Sequence, residues 1–321
     1  MRVANEWHEA RLRATRDVAR GVRLFEIEPA DGSLPWTPGS NLNFTVFIGG
    51  QPDVRSYSLV GEPDELYRVA VKLMPESRGG SAYMWSLQPG ARMRISQPKN
   101  HFELAFGRPD YLLVAGGIGI TPIYGMALAL ARRGARFRML YGARSRDEMP
   151  FADELLARCG DRLELFADEA GRRMDLPAEI GRLHPDSELY VCGPIGLLDA
   201  CRRTWAESGR RASRLRFETF GSSGRFAPEP FEVRIPRLGL AVRVPENKSM
   251  LDALQEAGVE LVYDCRRGEC GLCTVDILEV EGEVDHRDVF FSEHQKQENR
   301  KLCTCVSRVV KGAITIDTAD R

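Results

Sequence analysis

Between about residues 8 and 106, apolar and polar positions alternate in short runs, the pattern of strands with one buried face. Val22–Glu28 shows it, with Val22, Leu24, Phe25 and Ile27 as the apolar set. Asn43–Ile48, Arg55–Val60, Tyr67–Leu73 and Arg92–Ser96 follow, separated by Pro38-Gly39, Gly49-Gly50 and Pro89-Gly90. Short strands at this spacing predict an antiparallel barrel or sandwich.

From about residue 108 to 222 the rhythm becomes strand–helix alternation. Tyr111–Ala115 is a continuous apolar run, as a buried parallel strand requires. A glycine loop follows, then a helix running to about Arg133 and stopped by Gly134. Arg136–Tyr141, Leu163–Phe166, Leu189–Cys192 and Leu215–Phe220 read as strands, with helices over Phe151–Cys159 and Ile195–Ser208. This order predicts a doubly wound α/β sheet.

Residues 221–230 (Gly-Ser-Ser-Gly-Arg-Phe-Ala-Pro-Glu-Pro) have linker composition. Beyond them, strands are predicted at Phe231–Ile235 and Ala241–Val244, then a helix near Ser249–Ala257 and a cysteine-rich loop. The expected division is three domains, 1–107, 108–222 and 223–321, within 321 residues.

Composition narrows the class. Apolar residues make up 43% and charged residues 28%, a globular profile. The 45 basic and 46 acidic residues nearly cancel, so no basic excess points to nucleic acid. Residues 231–321 hold 17 acidic and 13 basic residues, leaving an acidic segment that can help select a partner. Tyr111–Ala131 carries no charge over 21 residues, but its glycines and Pro122 fit strand, loop and helix better than a membrane span. Met1–Asp17 has no apolar core of a signal peptide, so a cytoplasmic, reducing location is expected. The eight cysteines should then be thiols or metal ligands.

Cys265, Cys270 and Cys273 form C-x4-C-x2-C, with a distant fourth cysteine at Cys303 or Cys305. That is the plant-type [2Fe–2S] spacing, in which four thiolates converge on two irons. Gly268 and Gly271 allow the loop backbone to turn its N–H groups toward sulfur. Structural zinc is the rival, but the second half offers only Cys303-Thr-Cys305. On a strand these two cysteines would face the same way. Cys159, Cys192 and Cys201 sit in apolar settings and read as small buried residues.

Ala115-Gly116-Gly117-Ile118-Gly119-Ile120-Thr121-Pro122 joins a buried strand to a helix, with Thr121 expected as N-cap and Pro122 at the first helical position. Free N–H groups at such a turn suit a pyrophosphate, although Pro122 stands where the dinucleotide fingerprint has its third glycine. Cys192-Gly193-Pro194 ends a later strand at the same sheet edge. Earlier, Arg55-Ser56-Tyr57-Ser58 lies on a strand and Arg78-Gly79-Gly80-Ser81 on a loop. An arginine there can pair a phosphate and a tyrosine can lie against a flat ring. Taken singly, each of these is as compatible with an ordinary turn or surface segment.

Together, Arg55-x-Tyr57-Ser58, the Gly116–Pro122 loop and Cys192-Gly193-Pro194 resemble the ferredoxin-NADP reductase superfamily. With C-x4-C-x2-C at the C-terminal end, the order resembles the phthalate dioxygenase reductase family. Phe217–Gly221, Asp285-His286-Arg287-Asp288 and Cys305-Val306-Ser307-Arg308 extend the likeness over nearly the whole chain. The resemblance implies an antiparallel β-barrel flavin domain, an α/β doubly wound nucleotide domain and an α+β plant-type ferredoxin domain. It implies electron flow from NADH through FMN and a [2Fe–2S] cluster to a Rieske-type oxygenase, by a chain acting as a monomer away from membranes.

By that likeness Arg55, Tyr57 and Ser58 would hold the flavin ring and ribityl chain, and Arg78, Gly80 and Ser81 its phosphate. Thr121, at the nicotinamide–flavin junction, and Cys192, by the dinucleotide, are the catalytic candidates. Gly117, Gly119 and Gly193 would line the dinucleotide, and Phe220 would lie by the flavin. Arg144 would meet a ribose or a 2′-phosphate. Cys265, Cys270, Cys273 and Cys305 would ligate iron, Cys305 because Thr304-Cys305-Val306 resembles the closing segment of ferredoxins. Asp285–Asp288 should brace a turn, and none of the five histidines is a candidate ligand. Two other uses fit the same residues: delivery to a ferric chelate, quinone or haem monooxygenase, or a non-enzymatic redox module.

Overall fold

The computed structural model describes residues 7–74, 79–220, 226 and 228–318. Arg78 and most of the 221–230 linker lie outside the described residues. The chain forms two compact units, Met1–Glu218 and Thr219–Arg321.

The first unit opens with strands β1 (Trp7–Ala19), β2 (Val22–Pro29), β3 (Ser40–Ile48), β4 (Gln51–Ser58) and β5 (Tyr67–Lys72). Helix α1 (Gly80–Ser86) precedes β6 (Arg92–Ser96) and β7 (Lys99–Asn100). The sheet order is β4-β3-β6-β1-β2-β5, antiparallel throughout, with β7 on β3. A bridge between Leu59 and Val69 joins the two ends and closes the barrel. Phe25, Ile27, Leu42, Phe44 and Val69 fill it. Two elements depart from the sequence reading. β1 buries fully only Ala10 and Leu12 among its 13 residues, so its apolar signal is weak. α1 starts at a Gly-Gly-Ser segment that reads as turn chemistry.

The parallel half follows: β8 (Tyr111–Gly116), a 3-10 turn (Gly117–Gly119), α2 (Ile120–Arg132), β9 (Phe137–Ala143), α3 (Ala152–Cys159), β10 (Leu163–Ala167), α4 (Leu176–Gly181), β11 (Glu188–Cys192), α5 (Ile195–Glu207) and β12 (Leu215–Glu218). Strand order is β10-β9-β8-β11-β12, all parallel. The winding direction reverses between β8 and β11, so a crevice opens at their carboxyl ends. The uncharged 111–131 stretch is β8, the turn and most of α2. Among the described residues no helix is long and apolar enough to cross a membrane.

Barrel and parallel sheet share one core, in which Val22, Leu24 and Phe102 belong to the same cluster as Ile123, Met126 and Leu130. At the amino edge of the parallel sheet, Glu188 is fully buried. It accepts from Arg108 Nε at 2.9 Å, Arg214 Nη1 at 3.2 Å and the Tyr190 hydroxyl at 2.6 Å. Three partners offset the desolvation of this carboxylate.

The second unit contains β13 (Phe231–Ile235), β14 (Leu240–Val244), α6 (Met250–Glu256), β15 (Thr274–Asp285), α7 (Glu293–Glu298), β16 (Lys301–Cys303) and β17 (Arg308–Asp317). Sheet order is β14-β13-β17-β15-β16, with β13 and β17 parallel and the other pairs antiparallel. Phe231, Val233, Leu254, Leu302 and Ile314 form its core. Ser249 caps α6 by accepting the Asp252 N–H at 3.1 Å, and the chain then loops back to the sheet through the cysteine motif.

Candidate functional site

In the first unit, β4 carries Arg55 and Tyr57 two residues apart, hence on one face. Tyr57 stacks edge-on against Phe44, ring centroids 5.5 Å apart. Burial pushes the Tyr57 phenol up to about 12, against a smaller opposing effect of Arg55. Arg55 Nη1 meets Asp53 Oδ2 at 2.7 Å, a partner the motif reading missed although it lies two residues earlier on the same face. The Arg55 side chain crosses Gly80 so closely that a Cβ there would stand 2.6 Å from its Cγ. Arg55 and Gly80 are therefore brought together from distant positions, with Tyr57 next along the strand. Ser81 follows Gly80 in α1, and its hydroxyl accepts the Met74 N–H at 3.1 Å. Ser58 is buried. A guanidinium, an aromatic ring and a glycine-opened helix start form a donor set that fits a flavin mononucleotide.

The second constellation lies at the carboxyl edge of the parallel sheet. Ala115 and Cys192 are register partners, which puts the ends of β8 and β11 side by side. The loops beyond them meet through glycine. A Cβ on Gly119 would lie 2.3 Å from the Cys192 carbonyl oxygen, and one on Gly116 would lie 2.6 Å from Pro194 Cδ. Gly193 would in turn press on the Gly116 Cα at 3.0 Å. Gly117 holds φ 53, a conformation favouring glycine.

The N-cap expected at Thr121 is not formed. The 3-10 turn delivers the chain into α2 two residues early, so Gly119 precedes the helix and Thr121 lies in its first turn. The Thr121 hydroxyl donates to the Ile118 carbonyl at 3.0 Å. The Ile120 N–H turns back to the Gly117 and Ile118 carbonyls and Pro122 has none, which leaves the glycine turn as the part of this helix start that can meet a pyrophosphate. Arg144 follows β9 at this same edge, exposed, its carbonyl accepting the Glu169 N–H at 3.1 Å. Thr121 and Cys192 are both buried beneath the loops.

The third constellation is in the second unit. Between α6 and β15 the chain coils through Arg266 (φ 54), Gly268 (φ 74) and Gly271 (φ 73). Cys265 Sγ accepts the N–H groups of Arg267, Glu269 and Cys270, each at 3.4 Å. Burial raises the Cys265 thiol, and these three N–H groups oppose it by favouring thiolate. A Cβ on Gly268 would stand 2.6 Å from Val306 Cγ2 and 2.8 Å from Asp288 Cα, and one on Gly271 2.3 Å from the Phe290 ring.

Asp288 backs the loop: the Val289 N–H donates to the Gly268 carbonyl at 3.0 Å, and Asp288 accepts the Phe291 N–H at 3.0 Å. Burial would raise its carboxyl, but His286 and the Phe291 N–H outweigh it and hold it below the usual range. The Asp285–Asp288 segment thus braces the loop. Arg287 Nε also donates to Asp285 at 2.7 Å.

Cys303 ends β16, and the strand stops there. Cys305 therefore sits in a turn, with the Ser307 N–H returning to the Cys303 carbonyl at 3.0 Å, so the two cysteines do not share a strand face as expected. Thr304 fastens this turn to Cys273, its N–H at 3.2 Å and hydroxyl at 2.9 Å from the Cys273 carbonyl. The Cys303 and Cys305 thiols hydrogen-bond to Cys273 and pull it toward thiolate, while Cys273 raises both of theirs. The Gly268 N–H favours the Cys305 thiolate. Cys265 neighbours Cys270, Cys273 neighbours Cys305, and backbone donors surround the sulfurs. That donor set fits a two-iron cluster. Phe220 belongs to this unit, next to Thr219, whose N–H donates to Glu269 at 2.8 Å and whose hydroxyl donates to the Arg267 carbonyl at 3.1 Å. The bracing roles of Glu269 and Thr304 were missed by motif reading, since a carboxylate or hydroxyl that braces a loop has no spacing rule.

Residues 113–203 match the family model of an oxidoreductase NAD-binding domain, and residues 233–310 that of a 2Fe-2S iron-sulfur cluster binding domain. The chain is 36% identical to a toluene-4-sulfonate monooxygenase system reductase subunit of Comamonas testosteroni, over 95% of this chain and 96% of the relative. It is 32% identical to phthalate dioxygenase reductase of Burkholderia cepacia, over 96% of each. A solved phthalate dioxygenase reductase structure matches with a TM-score of 0.79 and 30% identity, covering 97% of this chain and 98% of that one. Fold, site chemistry and end-to-end similarity agree: the chain belongs to the phthalate dioxygenase reductase family, NADH-dependent oxidoreductases with FMN and a [2Fe–2S] cluster as cofactors.

Proposed function

We propose that this protein is the reductase component of a multicomponent oxygenase or demethylase system, delivering electrons from NADH to a separate Rieske-type oxygenase that acts on an aromatic substrate. The observation that carries the reading is the joining of three donor sets in one chain, in an order matched end to end by reductases of such systems. The bound cofactors supply the conversion of one hydride into two single-electron transfers. The chain supplies position and electrostatics.

Arg55, Tyr57 and Ser58 would hold the flavin ring and ribityl chain, with Gly80 giving Arg55 room, and Arg78, Gly80 and Ser81 would hold its phosphate. The Gly117–Gly119 turn and Gly193 would line the dinucleotide, and Arg144 would meet a ribose or a 2′-phosphate. Thr121 would lie at the nicotinamide–flavin junction and Cys192 by the dinucleotide, and no side chain is required to move a proton. Phe220 serves the flavin. Cys265, Cys270, Cys273 and Cys305 would hold the cluster. The domain limits 1–107, 108–222 and 223–321 belong to this reading, as does action as a cytoplasmic monomer with the acidic 231–321 segment turned to the oxygenase.

The test is a visible spectrum before and after one equivalent of NADH, with flavin and iron quantified, followed by mixing with a Rieske oxygenase and its substrate. Bleaching of both bands and NADH-dependent product formation are expected. Electron flow to quinones, ferric chelates or haem proteins, with none to any Rieske oxygenase, would overturn the partner assignment.

A further inference from the structure

NADH and NADPH differ only by a phosphate on the 2′ oxygen of the adenosine ribose. In the sheet order β10-β9-β8-β11-β12, the glycine turn follows β8 and Cys192 ends β11. A dinucleotide with its pyrophosphate at that turn and its nicotinamide toward β11 extends its adenosine half over the ends of β9 and β10. The loops beyond those two strands are laced together. The Glu169 N–H donates to the Arg144 carbonyl at 3.1 Å, and the Arg146 N–H donates to Glu169 Oε1 at 3.0 Å. With Arg20 from the β1–β2 turn and Asp153 from α3, these loops line a crevice of about 590 Å³. Both of its arginines are already committed. Arg20 Nε stands 3.1 Å from Asp147 Oδ2, and its Nη2 donates to Glu148 Oε1 at 2.8 Å and to the Ser145 hydroxyl at 3.0 Å. Arg146 pairs with Asp153. The Ser145 hydroxyl donates to Asp147 and, with Arg20, holds that carboxyl below its usual range, so it is charged at neutral pH. Among the described residues, the lining thus sets Arg20 and Arg146 against Asp147, Asp153 and Glu169, an excess of negative charge.

We propose that Asp147, Asp153 and Glu169 are what makes this chain choose NADH over NADPH: the first two occupy the arginines that a 2′-phosphate would need, and all three leave the ribose end of the crevice negative. Carboxylates at such a place suit a ribose hydroxyl, whereas an available arginine suits a phosphate. A phosphate set among carboxylates meets like charge with no cation left to offset it. Arg144, at the head of the same loop, then meets a ribose and not a phosphate. This assignment rests on the nucleotide site proposed above and goes beyond it by naming the residues that exclude the phosphate.

The experiment uses the full-length holoprotein and ferricyanide reduction by NADH and by NADPH, read as the ratio of the two kcat/KM values. In the wild type the ratio should favour NADH by about a hundredfold, the scale of a like-charge clash in a binding site. Asp147→Asn combined with Asp153→Asn keeps the side-chain shapes and removes both charges. The ratio should then fall about tenfold, through a higher kcat/KM with NADPH, a gain that misfolding cannot produce. Raising the ionic strength should narrow the wild-type ratio, because salt screens the repulsion of the phosphate and leaves the hydroxyl indifferent. Should the double variant fail to fold, Glu169→Gln and the salt series read the same ratio. A wild type that uses NADPH as well as NADH, a ratio unmoved by the substitutions, or a ratio that widens with salt overturns the proposal. A wild type that oxidises neither nucleotide overturns instead the nucleotide-site reading on which this rests.

Discussion

Gly271 shows how much of the cluster loop is decided by one missing atom. A Cβ there would lie 2.3 Å from the Phe290 ring at a φ of 73 that side chains avoid. Gly271→Ala is expected to lower iron per chain by more than half while flavin content stays at the wild-type level, both read from the visible spectrum and metal analysis. Cys270→Ser should leave NADH-to-flavin reduction intact and abolish reduction of a one-electron protein acceptor such as cytochrome c. Retained flow to that acceptor would mean that electrons bypass the cluster. Tyr57 gives a pH prediction. Its phenol is raised by burial from an ordinary value of 10 to about 12. The stability it contributes is complete below pH 10 and disappears as pH rises through 12. The denaturant midpoint of the wild type should fall across that window more steeply than that of Tyr57→Phe. The cysteine motif was legible in the sequence because thiolate chemistry imposes a spacing. The turn that separates Cys303 from Cys305 was not, because it depends on where β16 stops.

At the scale of elements, the hairpin strands and strand–helix pairs were legible wherever an apolar face is wide, as along β2 and β8. They were not legible where solvent takes most of the surface, as along β1. The start of α2 was read through the wrong residue: a 3-10 turn, not a threonine cap, leads into it. Two loops then close on each other with no room for side chains. Gly119→Ala, whose methyl would meet the Cys192 carbonyl, should raise KM for NADH about tenfold, the effect of ~1.4 kcal/mol of lost binding. Flavin and iron content should not change, and steady-state kinetics against ferricyanide with cofactor quantification checks both.

For the whole molecule, three rhythms were legible along the chain. That barrel and parallel sheet share one core was not, because packing between faces leaves no period in the sequence. Limited proteolysis should therefore give two products, cut in the Gly/Ser/Pro-rich 221–230 segment, and no early cut near residue 107. The amino-terminal product should keep NADH oxidation with ferricyanide and lose transfer to cytochrome c, as gel analysis and assay of the isolated fragment would reveal.

The buried Glu188 has a mechanical side. Arg108 and Arg214 converge on it from the segment that enters the parallel sheet and the turn that leads into its last strand. That edge is riveted by charge. The opposite edge, where the dinucleotide enters, is apposed through glycine backbones. A margin pinned by buried charge should open less readily than one held by backbone contact alone, like a book held at its spine. Amide hydrogen exchange should accordingly run slowest around Glu188–Tyr190 and fastest at Gly116–Gly119, and Glu188→Gln should narrow that gradient by loosening the spine.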